Sequence, residues 1–231
     1  MELFYSKNYR ETNSLDNEQA YHCSKVLRHK IGDLIFITDG KGSISEARLI
    51  SVNHKTCLFD IINLQQSSLP DFKLHIAISP TKNNNRLEWF IEKATEIGIG
   101  EITPVLCKHT LRPNIHLERL NKIIISACCQ SLNSFFPVIN QPVSFNDLIK
   151  KTPTGQNFIA VCKPEITKPL KELYIKNTDS LILIGPEGDF SDDELKLAIN
   201  NSYQPVSLTN TRLRTETAAL YACTLINILN Q

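Results

Sequence analysis

The sequence predicts two folded parts: a small β-rich barrel, then a larger α/β domain built on a mostly parallel sheet. Short apolar runs separated by turn signals fill the first part. The polar stretch Gln65-Gln66-Ser67-Ser68-Leu69-Pro70-Asp71 then interrupts the pattern, as domain boundaries do. Beyond it, apolar strands alternate with segments of helical spacing, which implies a parallel sheet covered on both faces. The expected domains are 1–70 and 71–231, and 231 residues suffice for each to bury a core.

In the first part, Asn17 to His29 reads as a short helix. Leu34-Ile35-Phe36-Ile37-Thr38 is a strand, stopped by the hairpin signal Asp39-Gly40-Lys41-Gly42. Ile44 to Val52 and Thr56 to Leu64 follow as strands, separated by the turn-like Asn53-His54-Lys55. Strands this short and this closely spaced fit a small barrel.

In the second part, Lys73 to Ser79 alternates Leu74, Ile76 and Ile78 as a strand. Arg86 to Gly98 places Leu87, Phe90, Ile91, Ala94 and Ile97 at helical spacing, and Ile115 to Ser131 does the same with Leu117, Leu120, Ile123, Ile124 and Ala127. Strands are expected at Ile102 to Cys107, Phe158 to Cys162, Ser180 to Ile184 and Pro205 to Leu208. Helices are expected at Ser191 to Asn200 and Glu216 to Leu229.

Composition narrows the class little. A formal net charge of +1 gives no support to a nucleic-acid partner, so any basic surface must be local. None of the seven cysteines forms a C-x-x-C pair, and no histidine stands at zinc-finger spacing. No metal is expected, and the thiols read as reduced core residues of a reducing compartment. The start, Met1-Glu2-Leu3-Phe4-Tyr5-Ser6-Lys7, has no long apolar core, and no apolar run approaches a membrane span. A cytoplasmic protein away from membranes is expected.

Two segments point to chemistry. Leu181 to Ile184 is an apolar strand that ends in Gly185-Pro186-Glu187-Gly188-Asp189-Phe190, and Ser191 with Glu194 then forms a capping box. Glycines let backbone approach a ligand, and the carboxyl ends of such strands are where α/β sheets bind small molecules. A plain tight turn explains the same residues equally well. In the second segment a short strand enters Thr209-Asn210-Thr211-Arg212-Leu213-Arg214-Thr215-Glu216-Thr217 and then a helix. Capping and surface charge account for that one as readily. No G-x-G-x-x-G follows a strand, no P-loop occurs, and no G-x-S-x-G elbow is present.

Together these residues closely resemble the small-subunit (16S) ribosomal RNA uridine N3-methyltransferase family, part of the SPOUT superfamily of knotted methyltransferases. The resemblance rests on Gly185-Pro186-Glu187-Gly188 with Phe190-Ser191 and on Arg212-Leu213-Arg214-Thr215-Glu216-Thr217-Ala218. Tyr21-His22-Cys23-Ser24-Lys25-Val26-Leu27-Arg28, Gly32-Asp33 and Asp39-Gly40 resemble the family's PUA-like barrel. Lys82, Glu92-Lys93-Ala94-Thr95-Glu96-Ile97-Gly98, Gln130-Ser131 and Pro137 resemble its catalytic domain. The chain departs from the family at Asp189 and Thr209, where glycines are usual, and at Asn133, where arginine is common.

The resemblance implies a PUA-like RNA-binding barrel over 1–70 and a SPOUT methyltransferase domain over 71–231 with a C-terminal trefoil knot. It implies S-adenosyl-L-methionine as cofactor, held by loops after Cys162, Ile184 and Leu208, with Ile184, Gly185, Pro186, Gly188, Leu208, Leu213 and Thr215 as cofactor-binding residues. Arg214 and Glu216 are the implied catalytic residues, one to stabilise a uridine anion and one to remove the N3 proton. A structural ion pair is the other reading of these two. His22, Lys25, Arg28, Lys82 and Arg86 are the implied RNA-binding residues, and His29 and Lys30 add to the first cluster. The implied partners are 16S ribosomal RNA in the small subunit and a second copy of the chain. The alternatives are a knotted methyltransferase acting on another RNA, or a non-catalytic ribosome-assembly protein. The ribose-modifying enzymes carry an Asn/Gly/Arg motif, and Asn83-Asn84-Asn85-Arg86 lacks its glycine.

Overall fold

The computed structural model describes residues 2–111, 115–151 and 155–231. The chain divides into two compact units, Met1–Leu69 with Ile125–Phe136, and Pro70–Ile124 with Pro137–Gln231.

The first unit contains β1 (Leu3–Tyr5), α1 (Tyr9–Thr12), β2 (Ser14–Asp16), α2 (Asn17–Tyr21), β3 (Leu34–Thr38), β4 (Ser43–Val52) and β5 (Thr56–Gln66). Its sheet runs β1-β3-β4-β5-β2, antiparallel except at β1–β3. The two edges approach each other. Ser6 Oγ donates to the Ser14 carbonyl at 3.1 Å, and the Tyr5 amide donates to Gln19 Oε1 at 3.1 Å. Register shifts at Glu46/Ala47 and Leu49/Ser51 bend the long β4, and such bulges let a sheet roll toward closure.

Alternation turns Ile35, Ile37, Ala47, Leu49 and Phe59 inward against Phe4, Leu15 and Tyr9. The buried Tyr9 hydroxyl bonds Ser45 Oγ at 2.8 Å and Ser43 Oγ at 3.1 Å, so three polar groups in this core are satisfied together. The expected helix over Asn17 to His29 is shorter: α2 ends at Tyr21, and His22–Val26 winds as a π-helical turn before Arg28 takes φ 59°. The wider turn carries Cys23 into the core.

Residues 125–136 belong with this unit, which the expected boundary at residue 70 does not foresee. The reason is a pairing with the β3–β4 hairpin. The Gly42 amide donates to the Ser134 carbonyl at 2.8 Å, and the Phe136 amide donates to the Gly40 carbonyl at 2.9 Å. Gly42 has φ +94°, and a Cβ there would lie 2.3 Å from the Phe135 ring. Only glycine serves at that position.

The second unit runs β6 (Leu74–Ile78), α3 (Asn84–Ile97), β7 (Glu101–Leu106), α4 (Leu117–Ser131, whose later residues count with the first unit), β8 (Val138–Ile139), β9 (Val143–Ser144) and α5 (Phe145–Lys150). It continues with β10 (Gln156–Ala160), β11 (Lys168–Pro169), α6 (Leu170–Leu173), β12 (Ser180–Ile184), α7 (Asp192–Asn200), β13 (Gln204–Ser207) and α8 (Thr215–Leu229). Its sheet is parallel in the order β11-β13-β10-β12-β6-β7-β8, with β9 beside the end of β7.

Every residue of β12 is buried, as expected of a central strand covered on both faces. On one face Phe145 and Leu148 of α5, Leu195 and Ala198 of α7, and Phe190 cover Ala77, Ile159, Leu181 and Leu183. The alternate residues Ile76, Ile78, Ile182 and Ile184 are also buried and point to the opposite face. There α8 packs on α3, β6 and β12, with Phe90, Ile91, Ala94, Ala219, Cys223 and Ile226 buried. Each such aliphatic or aromatic side chain contributes about 1.5–3 kcal/mol on burial.

Candidate active site

The loops that leave β10, β12 and β13 enclose a cleft of about 700 Å³ at the carboxyl edge of the sheet. That volume falls within the ~300–1,000 Å³ range of small-molecule sites, and the edge is where α/β sheets bind ligands. The loop after β10 contributes Val161 to Pro164 and Thr167, and the loop after β12 contributes Gly185 to Glu187 and Asp189. The third wall runs from Ser207 through Thr215.

Local bonds fix these loops. The Ser191 amide donates to Glu194 Oε2 at 2.9 Å and the Glu194 amide donates to Ser191 Oγ at 3.4 Å, which completes the capping box read from the sequence. The other Glu194 oxygen accepts the Lys108 amide at 2.7 Å and ties the start of α7 to the chain beyond β7. A Cβ on Gly185 would lie 3.0 Å from the Phe190 ring, so glycine lets that ring close down on the loop. Thr215 Oγ1 donates to the Gly185 carbonyl at 3.0 Å and joins this loop to the first turn of α8.

Ile184, Gly185, Pro186, Leu208, Leu213 and Thr215 all line the cleft, and so does Arg214. Gly188 is not among the lining residues; it packs against His109, whose Cβ is 3.4 Å from where a Gly188 Cβ would stand. Glu216 does not line the cleft either. It is 6% exposed, with Oε1 3.6 Å from Arg86 Nε, and its Oε2 is buried without a hydrogen-bond partner. The first turn of α8 favours an anion at this place. Arg86, expected at RNA, is thus half-exposed and faces the expected catalytic carboxylate.

Lys82 is exposed, and its amide donates to Glu187 Oε1 at 3.3 Å. In the first unit His22, Lys25, Arg28 and Lys30 are exposed, while His29 is held by Glu2 at 2.5 Å and Asp33 at 3.1 Å. Of the three departures, Asp189 has φ 63°, which explains why glycine suits that position. Thr209 Oγ1 donates to the Thr211 carbonyl at 2.7 Å, and Asn133 Oδ1 accepts the Phe135 amide at 3.0 Å.

Residue-level reading did not single out Lys163, Pro164 or Thr167, which also line the cleft, as do Glu187 and Arg212 from the two quoted motifs. The signal for the first two was present: Cys162-Lys163-Pro164 interrupts an apolar strand as the other two cleft loops do. Cys162 is exposed at the cleft, whereas burial pushes Cys23, Cys107, Cys128, Cys129 and Cys223 up to about 12. Among the described residues no group of three or more His, Cys, Asp or Glu could hold a metal, and no helix is long and apolar enough to cross a membrane.

A parallel sheet with three loops around a cleft at its carboxyl edge, in a chain that also folds a small barrel, is the architecture of an RNA methyltransferase. Residues 67–227 match the RNA methyltransferase domain and residues 15–62 match the RNA methyltransferase PUA domain, so the chain belongs to that family. A curated relative, ribosomal RNA small subunit methyltransferase E of Synechocystis, is 31% identical over 94% of this chain and 73% of its own length. The crystal structure of a probable rRNA-methyltransferase from Porphyromonas gingivalis matches with TM-score 0.94 and 38% identity, covering 100% of this chain and 98% of that one. Ribosomal RNA small subunit methyltransferase E from Neisseria gonorrhoeae, solved bound to S-adenosyl methionine, matches with TM-score 0.88 and 25% identity, covering 100% and 98%.

Proposed function

We propose that this chain transfers the methyl group of S-adenosyl-L-methionine to N3 of a uridine in 16S ribosomal RNA of the small subunit. The observation that carries this reading is the three-loop cleft, found in a chain whose relatives are named for that ribosomal RNA and bind that cofactor in crystals. The residues present fit the cofactor. The cleft has the volume of a small-molecule site, Gly185 lets the Phe190 ring close on the loop that lines it, and Thr215 anchors the same loop. Bound there, S-adenosyl-L-methionine supplies an electrophilic methyl group on a cationic sulfur.

The chain's own residues position and polarise. Ile184, Gly185, Pro186, Leu208, Leu213 and Thr215 hold the cofactor, and Gly188 acts only through the shape of its loop. Uridine N3 is a nucleophile only after losing its proton, and Arg214 at the cleft wall stabilises the resulting anion. In-line positioning of N3 supplies much of the remaining rate. Glu216, buried against Arg86, orients that arginine rather than acting as a base in the cleft.

RNA is held by phosphate contacts from His22, Lys25 and Arg28 in the barrel over 1–70, and from Lys82 and Arg86 in the catalytic domain over 71–231. The return of the chain from β13 to α8, beside β6 and β12, supports a trefoil knot. Exposed Trp89, Tyr221 and Ile228 on α3 and α8 support a homodimer. The thiols and the ribosomal substrate support a cytoplasmic location.

The test is methyl transfer from labelled S-adenosyl-L-methionine to small subunits from cells lacking this protein, followed by nucleoside analysis. Label in N3-methyluridine is expected. Label in a different nucleoside overturns the target atom, and neither label nor cofactor binding overturns the reading and leaves the assembly-protein alternative.

A further inference from the structure

Asp189 stands in the cleft wall. Asp189 has φ 63°, a backbone conformation that carries a cost for any residue with a Cβ. Glycine would satisfy that backbone freely, so contacts made by the side chain must offset the cost. Asp189 Oδ2 accepts the Cys162 amide at 3.3 Å, and Oδ1 accepts the Phe190 amide at 2.8 Å. Its main chain is fixed as well: its amide donates to the Pro186 carbonyl at 2.9 Å, and its carbonyl accepts from His109 Nδ1 at 3.0 Å.

These bonds gather loops from three strands. Cys162 follows β10, Pro186 follows β12 and His109 follows β7. The Lys163–Asp192 pair at 2.5 Å also ties the loop after β10 to the start of α7. Asp192 is mostly exposed and Lys163 about a third exposed, and such surface pairs contribute little.

We propose that Asp189 is a positioning residue that latches the loop after β10 to the loop after β12, and so sets the width and stiffness of the cofactor cleft. The proposal rests on the assignment of that cleft to S-adenosyl-L-methionine. A preformed cleft spends less of its binding free energy on ordering loops, so the latch raises affinity without itself touching the cofactor.

The test compares the full-length protein with D189G and D189N. Calorimetric titration reads affinity for S-adenosyl-L-methionine and for its product S-adenosyl-L-homocysteine, and alkylation of Cys162 by iodoacetamide without ligand reads loop freedom. D189G is expected to weaken both ligands about fivefold to tenfold, as loss of the charge-assisted bond that crosses between the loops implies, and to speed Cys162 alkylation severalfold. D189N keeps a carbonyl acceptor for the Cys162 amide and is expected to stay within about threefold of wild type on both measures. Unchanged affinity and unchanged alkylation in D189G overturn the latch. A loss confined to the cationic S-adenosyl-L-methionine also overturns it, because Asp189 would then act as a counter-charge. If the wild-type protein binds neither ligand, the functional assignment fails, and the alkylation rates alone still decide whether Asp189 ties the loops.

Discussion

Replacing Arg86 by methionine removes a cation that Glu216 faces at 3.6 Å, and keeps most of the side chain's apolar length. Breaking a buried ion pair costs ~3–5 kcal/mol, because the remaining charge is left uncompensated. Glu216 meets that condition, being 6% exposed with one oxygen already unpartnered. Arg86 does not, since its side chain is 38% exposed and the contact is longer than a hydrogen bond. The expected loss is therefore about 2 kcal/mol, between the buried and surface limits. In a Glu216→Gln background no charge is left behind, and the same Arg86→Met change should cost about 0.5 kcal/mol. The assay is a double-mutant cycle read by denaturant unfolding, with thermal midpoints as a check. A fall of roughly 4–8 °C is expected for Arg86→Met alone, since 1 kcal/mol moves the midpoint of a domain this size by ~2–4 °C. Equal losses in both backgrounds would show that the two side chains do not interact and would refute this account of Glu216.

Arg214→Ala should lower kcat about 10²- to 10³-fold, the usual effect of removing one charge-stabilising donor, while cofactor affinity stays within about threefold; a large affinity loss with unchanged kcat would move Arg214 to the binding site. Saturating S-adenosyl-L-methionine should protect Cys162, exposed at the cleft, from alkylation detected by peptide mass mapping; protection of a different cysteine would misplace the cofactor. His75 supplies a pH dependence: burial, reinforced by Lys73 and opposed by Glu101, pushes its imidazole down to about 4, while the unfolded chain titrates near ~6.5. The neutral ring's full contribution is present above pH ~6.5 and is lost as pH falls toward 4, so unfolding free energy should drop by about 2 kcal/mol between pH 6.5 and 5. His75→Gln, able to keep a bond to Thr103, should flatten that slope; the same slope in both proteins would assign the effect to other groups.

The strands buried on both faces were legible in the sequence to within a residue or two. Ser180 to Ile184 is β12 as read, and α8 begins at Thr215 rather than Glu216. A strand covered on both sides must be apolar throughout, and a long helix repeats its period several times, so both leave unmistakable patterns. β1 and β2 have three residues each, too few for any period, and are held by bonds to distant chain such as Phe36 N to the Glu2 carbonyl and Phe59 N to the Asn13 carbonyl. α5 was missed although Ser144 caps it, because six residues make barely two turns. At the site, the glycine-proline loop and the Arg212–Thr217 run were legible because backbone constraints and helix starts have strong residue preferences. The separate fates of Arg214 and Glu216 were not. Close neighbours at a helix start point in different directions, and only the placement of α3 decides that one meets the cleft and the other meets Arg86.

The strand order has a kinetic consequence. β6 is bordered on one side by β7, which follows it closely, but on the other by β12, and the Lys73 amide bonds Asp179 across 106 residues of chain. At the ~5–20 residues per second of synthesis, that partner emerges on the order of 5–20 s after β6 itself. During that interval the edge of β6 that will meet β12 has no neighbour, while its local pairing with β7 can already form. Pairings of such long range are closed late because loop entropy must be overcome first. A slow step in the second unit, with a transient open strand edge prone to wrong association, is therefore built into the order in which its strands are made.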